Sequence, residues 1–339
     1  MKSKSKLLKD IFIFIALIII TYIIVFKNYS FKETMIIIGK VDCRYIILAI
    51  IAMLLKIVAE GINVKYILGV LEEKVSLLKT IKYTFICFFF NGITPAASGG
   101  QPMEIYYMKK DGIPVTKSTA TLLLELCSYH TVTIILGVIG TILNYKLLRG
   151  IVWVFILSAS LKLIAAAVLF IGLYSKKLST KLVNLFITFM EKIKYSKIDS
   201  LKEKISNSLE TYHDSAAILK KEKGIFLKST AIVFIQVMMF YSVSYFIYRS
   251  FGLNSYSYIS LILISAMLLV GTSSIPLPGT VGVSENNFLK VYLLIYGITF
   301  LPSAMILYRC VNFYLFMLIT FIIVLIETIR FKKTVNNSE

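Results

Sequence analysis

The residues of this chain with chemistry to offer are ionisable side chains set among apolar ones. Glu125 lies within TATLLLELCSYHTVT and Arg309 within SAMILYRCVNF, while Glu104 and Glu285 each close a segment rich in Gly and Pro, TPAASGGQPME at 94–104 and SSIPLPGTVGVSE at 273–285. A charge in hydrocarbon is costly, so such residues face a bundle interior, where they pair, relay protons or bind a polar group. Arg309 suits a phosphate and Glu125 a cationic group or a proton, or the two form a structural charge pair. Glu104 and Glu285 suit hydrogen bonds from an opposing segment or proton coupling, or they complement the positive end of the helix they begin.

The Gly-rich segments offer a second kind of site. A helix restarting after such a break presents backbone amides and a positive dipole end to a phosphate or carboxylate. Ser98, Gly99, Gly100 and Gln101 precede Pro102, a residue favoured in a first helical turn. Ser274, Gly279, Thr280 and Gly282 are placed similarly. The same glycines also permit tight turns and close helix packing, and both readings stand. The candidate substrate-binding set is therefore Ser98, Gly99, Gly100, Gln101, Glu104, Glu125, Ser274, Gly279, Gly282, Glu285 and Arg309.

Other polar residues read as structural. Lys56 and Glu60, four apart on one helical face, make a local ion pair. His130 has no metal-ligand partner at useful spacing and reads as a packed or hydrogen-bonded histidine. Cys43, Cys87, Cys127 and Cys310 are scattered without CxxC spacing, which supports neither a disulfide frame nor a zinc site. There is no HExxH, GxSxG or Gly-rich loop ending in GK[ST], so no catalytic residue, metal or cofactor is expected.

The elements that position these residues follow from composition. With 58% hydrophobic residues, 16% charged and a mean hydropathy of +0.81, the 339-residue chain has more apolar surface than one soluble core can bury. It reads as an all-α polytopic membrane protein. Runs near 8–26, 45–68, 117–143, 151–174, 229–251 and 302–328 approach the roughly 20 residues a crossing needs. Two more apolar blocks, near 83–107 and 257–299, are interrupted by Pro and Gly. The first run, with no small-residue cleavage site after it, reads as an uncleaved anchor.

Charge orients the spans. The net charge of +19 sits mainly in loops, which points to the positive-inside bias and anionic headgroups rather than nucleic acid. Both termini and residues 175–228, with twelve Lys against six acids, are expected in the cytoplasm. Three full crossings between 68 and 175 would put that basic loop outside; a re-entrant hairpin at 83–107 keeps it inside. The loop also has apolar residues at helical spacing, as in KLVNLFITFMEKIKY, which suits amphipathic helices on anionic lipid.

The second broken block repeats the first. The interval from Pro95 to Glu104 equals that from Pro276 to Glu285, and each contains two glycines. The order span, span, hairpin, span occurs twice, over residues 1–150 and 151–339, and an odd number of crossings inverts the second copy. Such an inverted repeat, three spans plus one re-entrant hairpin per half, is the arrangement in which transporters place a midplane site.

The pairing of TPAASGGQPMEIYYMKKDGIP with IPLPGTVGVSE, together with the order of spans, resembles the membrane domain of lysylphosphatidylglycerol synthase/flippase proteins, stand-alone flippase-like relatives included, over roughly 8–330. The resemblance implies a lipid-translocating domain and puts Gly99, Gly100, Gln101, Gly279, Gly282 and Glu285 in signature positions; Thr280 departs where the family often has glycine. Two-part members carry a soluble domain that moves a lysyl group from charged tRNA to phosphatidylglycerol. With eleven residues after the last span, that activity is not expected here. The leading expectation is a cell-membrane flippase for lysylphosphatidylglycerol or a polyprenyl-phosphate lipid. The alternatives are a phosphatidylglycerol lysyltransferase or its membrane subunit, conferring resistance to cationic peptides, and a scaffold that recruits a lipid-modifying enzyme through the basic loop.

Overall fold

A hydrocarbon solvent offers no partner to a bare N–H or C=O, so apolar segments satisfy their backbones internally as helices. The computed structural model describes residues 29–94, 97–148, 152–192, 213–222, 224–272 and 283–336, with positions 19, 22, 23, 26 and 27, and every regular element among them is helical. The expected first span, 8–26, lies mostly outside the described residues, as do Ser274, Gly279, Thr280, Gly282 and much of the basic loop.

The helices are α1 (Phe31–Ile38), α2 (Cys43–Val70), α3 (Leu77–Ile93), α4 (Gly100–Lys110), α5 (Val115–Leu143), α6 (Val152–Tyr174), α7 (Lys176–Lys192), α8 (Ile225–Ser250), α9 (Tyr258–Thr272), α10 (Val283–Arg309) and α11 (Leu315–Asn336). Their starts follow local chemistry: Ser30 Oγ accepts from the Glu33 amide at the head of α1, and Asp42 Oδ1 from the Arg44 amide at the head of α2. Four helical stretches among the described residues, α2, α5, α8 and Glu285–Glu327, are long and apolar enough to cross a membrane. The chain is a multi-pass membrane protein. Segment 156–172 of α6 meets segment 176–185 of α7 at 108°, so the lysine-bearing amphipathic helix turns away from the direction of the span.

The stretch Glu285–Glu327 is 43 residues long, about twice what one crossing needs. It is not one straight rod. Gly297, at φ 64° and ψ 172°, breaks α10 with a conformation that a side chain would strain, and Cys310–Tyr314 form a π-helical turn before α11.

In both interrupted blocks the described ends lie close together. In the first, Lys82 Nζ donates to Asp111 Oδ2 at 3.0 Å and the Tyr83 hydroxyl donates to the same oxygen at 2.5 Å, so the start of α3 and the end of α4 share one level. Lys82 also reaches Glu327 Oε2 on α11 at 3.4 Å. In the second, Tyr248 at the end of α8 contacts both Tyr256, just before α9, and Tyr296, just before the Gly297 break, with ring centroids 6.1 and 5.7 Å apart.

Between helices the glue is small and polar, as expected where lipid tails give apolar faces no incentive to associate. Ser128 and Ser229 Oγ join α5 to α8 at 2.9 Å, and Ser244, Ser265 and Tyr292 form a hydroxyl ladder through α8, α9 and α10 at 2.6 and 2.9 Å. At Gly140 the backbones of α5 and α9 come so close that a Cβ would lie 2.2 Å from the Leu263 carbonyl oxygen.

Gly140→Val is therefore expected to force α5 from α9 at a cost of about 1–3 kcal/mol, read as a lower Tm in detergent. In a background with serine replacing the four native cysteines, cysteines at the exposed positions Leu78 and Lys109 should react with an impermeant maleimide from the same membrane face, opposite to one at Tyr145. Labelling of 78 and 109 from different faces would break the hairpin reading.

Candidate functional site

The tip of the first hairpin is built from its own side chains. Thr94 Oγ1 donates to the Phe90 carbonyl at 2.5 Å and accepts from the Gly99 amide at 2.9 Å; Asn91 Oδ1 accepts from the Gly100 amide at 3.0 Å. A Cβ on Gly99 would fall 2.6 Å from Thr94 Cγ2, and one on Gly100 2.2 Å from Asn91 Oδ1. Both glycines are thus required by close approach, and their amides are already spent on the preceding helix. Asn91 Nδ2 then donates to Cys87 Sγ at 3.4 Å, and the Cys87 thiol donates to the Glu104 carboxylate. One relay ties the re-entrant tip to the carboxylate a turn below it.

Glu104 opens onto a buried charged cluster. On α2, Lys56 Nζ bonds Glu60 Oε2, the expected local pair, and the same oxygen accepts from Gln236 Nε2 of α8 at 3.1 Å. Glu104 on α4 and Glu125 on α5 lie close enough to feel the charges of Glu60 and Lys56, and Glu125 that of Glu104. Glu104 is 2% exposed and Glu125 8%. Three helices therefore bring three carboxylates and one ammonium into one buried neighbourhood, and α8 adds the Gln236 amide.

Arg309 does not join Glu125. Its Nε donates to Glu285 Oε1 at 2.7 Å, with the Glu285 side chain fully buried, and its guanidinium lies 5.2 Å from the Phe313 ring centroid. The alternative of a Glu125–Arg309 pair gives way to a pair between the first and last turns of α10, across the Gly297 break. Tyr129 lies within electrostatic reach of Lys56, Glu60 and Tyr308. Ser98 and Gln101 border the first tip; Ser274, Gly279 and Gly282 lie outside the described residues.

Sequence reasoning passed over Gln236, Tyr129, Cys87, Asn91 and Lys162. Lys162, 4% exposed with its ammonium 5.7 Å from the Tyr129 ring, carried the signal used for Arg309, a lone charge in an apolar run. Gln236 sits alone in VFIQVMMF and was legible in the same way. His130 is packed beside Tyr129, and its Nδ1 is buried without a partner. Among the described residues no three His, Cys, Asp or Glu side chains converge on a point where a metal ion could sit.

The family model described as the lysylphosphatidylglycerol synthase TM region matches residues 11–320. The chain belongs to that family. A UPF0104 membrane protein of Pyrococcus horikoshii is 25% identical over 270 residues, covering 73% of this chain and 76% of that protein. Family membership places the chain in membrane lipid biology.

Removing one partner of a buried ion pair strands the other charge. Arg309→Ala is expected to cost about 3–5 kcal/mol of stability, while Glu285→Leu combined with Arg309→Met restores most of it. Thermal melts of the two single variants and the double variant check this, and additive losses would remove the pair as a coupled unit.

Proposed function

We propose that this chain is a plasma-membrane lipid transporter that moves a phospholipid between leaflets, its cargo lysylphosphatidylglycerol-like or a polyprenyl phosphate. The observation that carries the reading is the interior of charges and amides, Lys56, Glu60, Glu104, Glu125 and Gln236 beside Glu285 and Arg309, inside helices whose outer faces are apolar. Such groups at membrane depth are costly and mark the route of a polar cargo.

In this reading the two halves, 1–150 and 151–339, are inverted copies, each contributing one hairpin to a shared cavity. The meeting of the first hairpin's legs at Asp111 and of the second's at Tyr248 supports it. The headgroup sits at the first tip, near Ser98 and Gln101, with Ser274, Gly279 and Gly282 as the expected contacts from the second block, while the acyl chains remain in lipid. A phosphate competes with Glu285 for Arg309, and Glu104 and Glu125 complement the remaining polarity. The Gly99 and Gly100 amides reach a cargo only if Thr94 and Asn91 release them. Both termini face the cytoplasm, where α7 and the lysines of 175–228 hold anionic lipid.

The test is leaflet-resolved movement of fluorescent phosphatidylglycerol and lysylphosphatidylglycerol in proteoliposomes. Wild type is expected to speed movement of at least one of these lipids over empty vesicles, and Arg309→Lys, which keeps the charge but loses the guanidinium fork, to slow it. Protein that moves neither lipid, yet makes aminoacylated lipid from charged tRNA and phosphatidylglycerol, would replace this reading with the transferase.

A further inference from the structure

The two hairpin glutamates have unequal surroundings. Glu285 is matched by Arg309. Glu104 has for its neighbour on the next helix another carboxylate, Glu125, and the nearest ammonium, Lys56, is already bonded to Glu60. Among the described residues neither Glu104 nor Glu125 forms an ion pair. Counted with Lys56, the cluster carries two more carboxylates than ammonium groups, and a buried charge excess of that kind draws in a counter-charge.

A second observation points the same way. Gln236 is 3% exposed, its amide is aimed into the cluster by the bond to Glu60, and its Oε1 is buried without a donor. A buried carbonyl oxygen left bare is costly, so the site is built for a group that brings an O–H or N–H. The Tyr241 hydroxyl, within electrostatic reach of Tyr129 and Tyr308, and Asn312 Oδ1 are buried without partners as well. Among the described residues no three carboxylate, thiol or imidazole groups are close enough to hold a metal ion. A proton needs no coordination shell.

We propose that Glu104 and Glu125 form a proton-binding site through which headgroup movement is coupled to proton movement across the membrane. The coupling rests on the transporter reading; the proton site does not. The proton passes from water at one face to a carboxylate oxygen of the pair and leaves to water at the other, with no other bond made or broken. The groups that face it are Lys56 and Glu60 from α2, Cys87 from α3 and the neutral Gln236 from α8, with Tyr129 on α5 and Tyr308 on α10 beyond them.

The full chain is reconstituted in vesicles of phosphatidylethanolamine and phosphatidylglycerol that enclose a pH-sensitive dye, with the potential clamped by potassium and valinomycin. After an outward acid step, wild type is expected to acidify the interior faster than empty vesicles do. The rate should fall about tenfold or more in E104Q and E125Q, as when a proton-carrying group becomes an amide that cannot ionise, and stay unchanged in L78S, a change at an exposed site. In infrared difference spectra, wild type at neutral pH should show a protonated-carboxyl band that E104Q or E125Q diminishes. That band in wild type decides the matter even if the glutamine variants do not fold. Its absence, or wild-type flux in the double variant, overturns the proposal. Lipid movement without proton flux overturns this inference and leaves the transporter reading intact, whereas carboxyl-dependent proton flux without lipid movement keeps the proton site and removes the transporter reading together with the coupling.

Discussion

Within a bilayer every polar group must find its partner inside the protein, because lipid supplies none. Most of the chain meets that demand locally, by forming helix. The demand becomes acute at the first tip, where α3 stops and α4 starts among apolar neighbours. There the side chains of Thr94 and Asn91 reach forward to the Gly99 and Gly100 amides, and the absence of a Cβ on either glycine lets them arrive. Asn91, Cys87 and Glu104 then carry the same chain of hydrogen bonds into the interior, so the break in the helix and the buried carboxylate belong to one assembly.

The same constraint separates the two glutamates at the interrupted blocks. Glu285 meets Arg309 across the Gly297 break and the charges cancel in place. Glu104 lies within reach of a second glutamate, Glu125, and among the described residues neither forms an ion pair. A pair that cancels internally suits a structural or competitive role; an unbalanced pair suits a site that loads and unloads.

Away from the charges the fold is held by contacts that need little apolar driving force: serine pairs, a tyrosine ladder and the close passage of α5 over α9 at Gly140. The ion pairs of Lys82 with Asp111 and Glu327 fasten the first hairpin to α11, and Lys117 fastens the start of α5 to Glu73 at 2.7 Å. These polar ties lie at the end where the hairpin legs meet. The hairpins can therefore be anchored at their feet while their tips keep polar groups at depth.

Sequence by itself determined whatever depends on near neighbours. Apolar run length gave the helices, Pro and Gly gave the breaks, and the spacing of Lys56 and Glu60 gave their bond, because helix geometry alone brings residues four apart together. The spans at 45–68, 117–143, 151–174 and 229–251 came within a few residues of α2, α5, α6 and α8, since caps rather than hydropathy set the ends. Tertiary structure decided every partner distant along the chain: Glu285 rather than Glu125 for Arg309 across the Gly297 break, Gln236 for Glu60 across 176 positions, and Glu327 for Lys82 across 245. It also decided that the glycine amides at the first tip are spoken for. A lone charge in an apolar run announces that it must be buried against something; which helix faces meet, and so what that something is, is fixed only when the bundle closes.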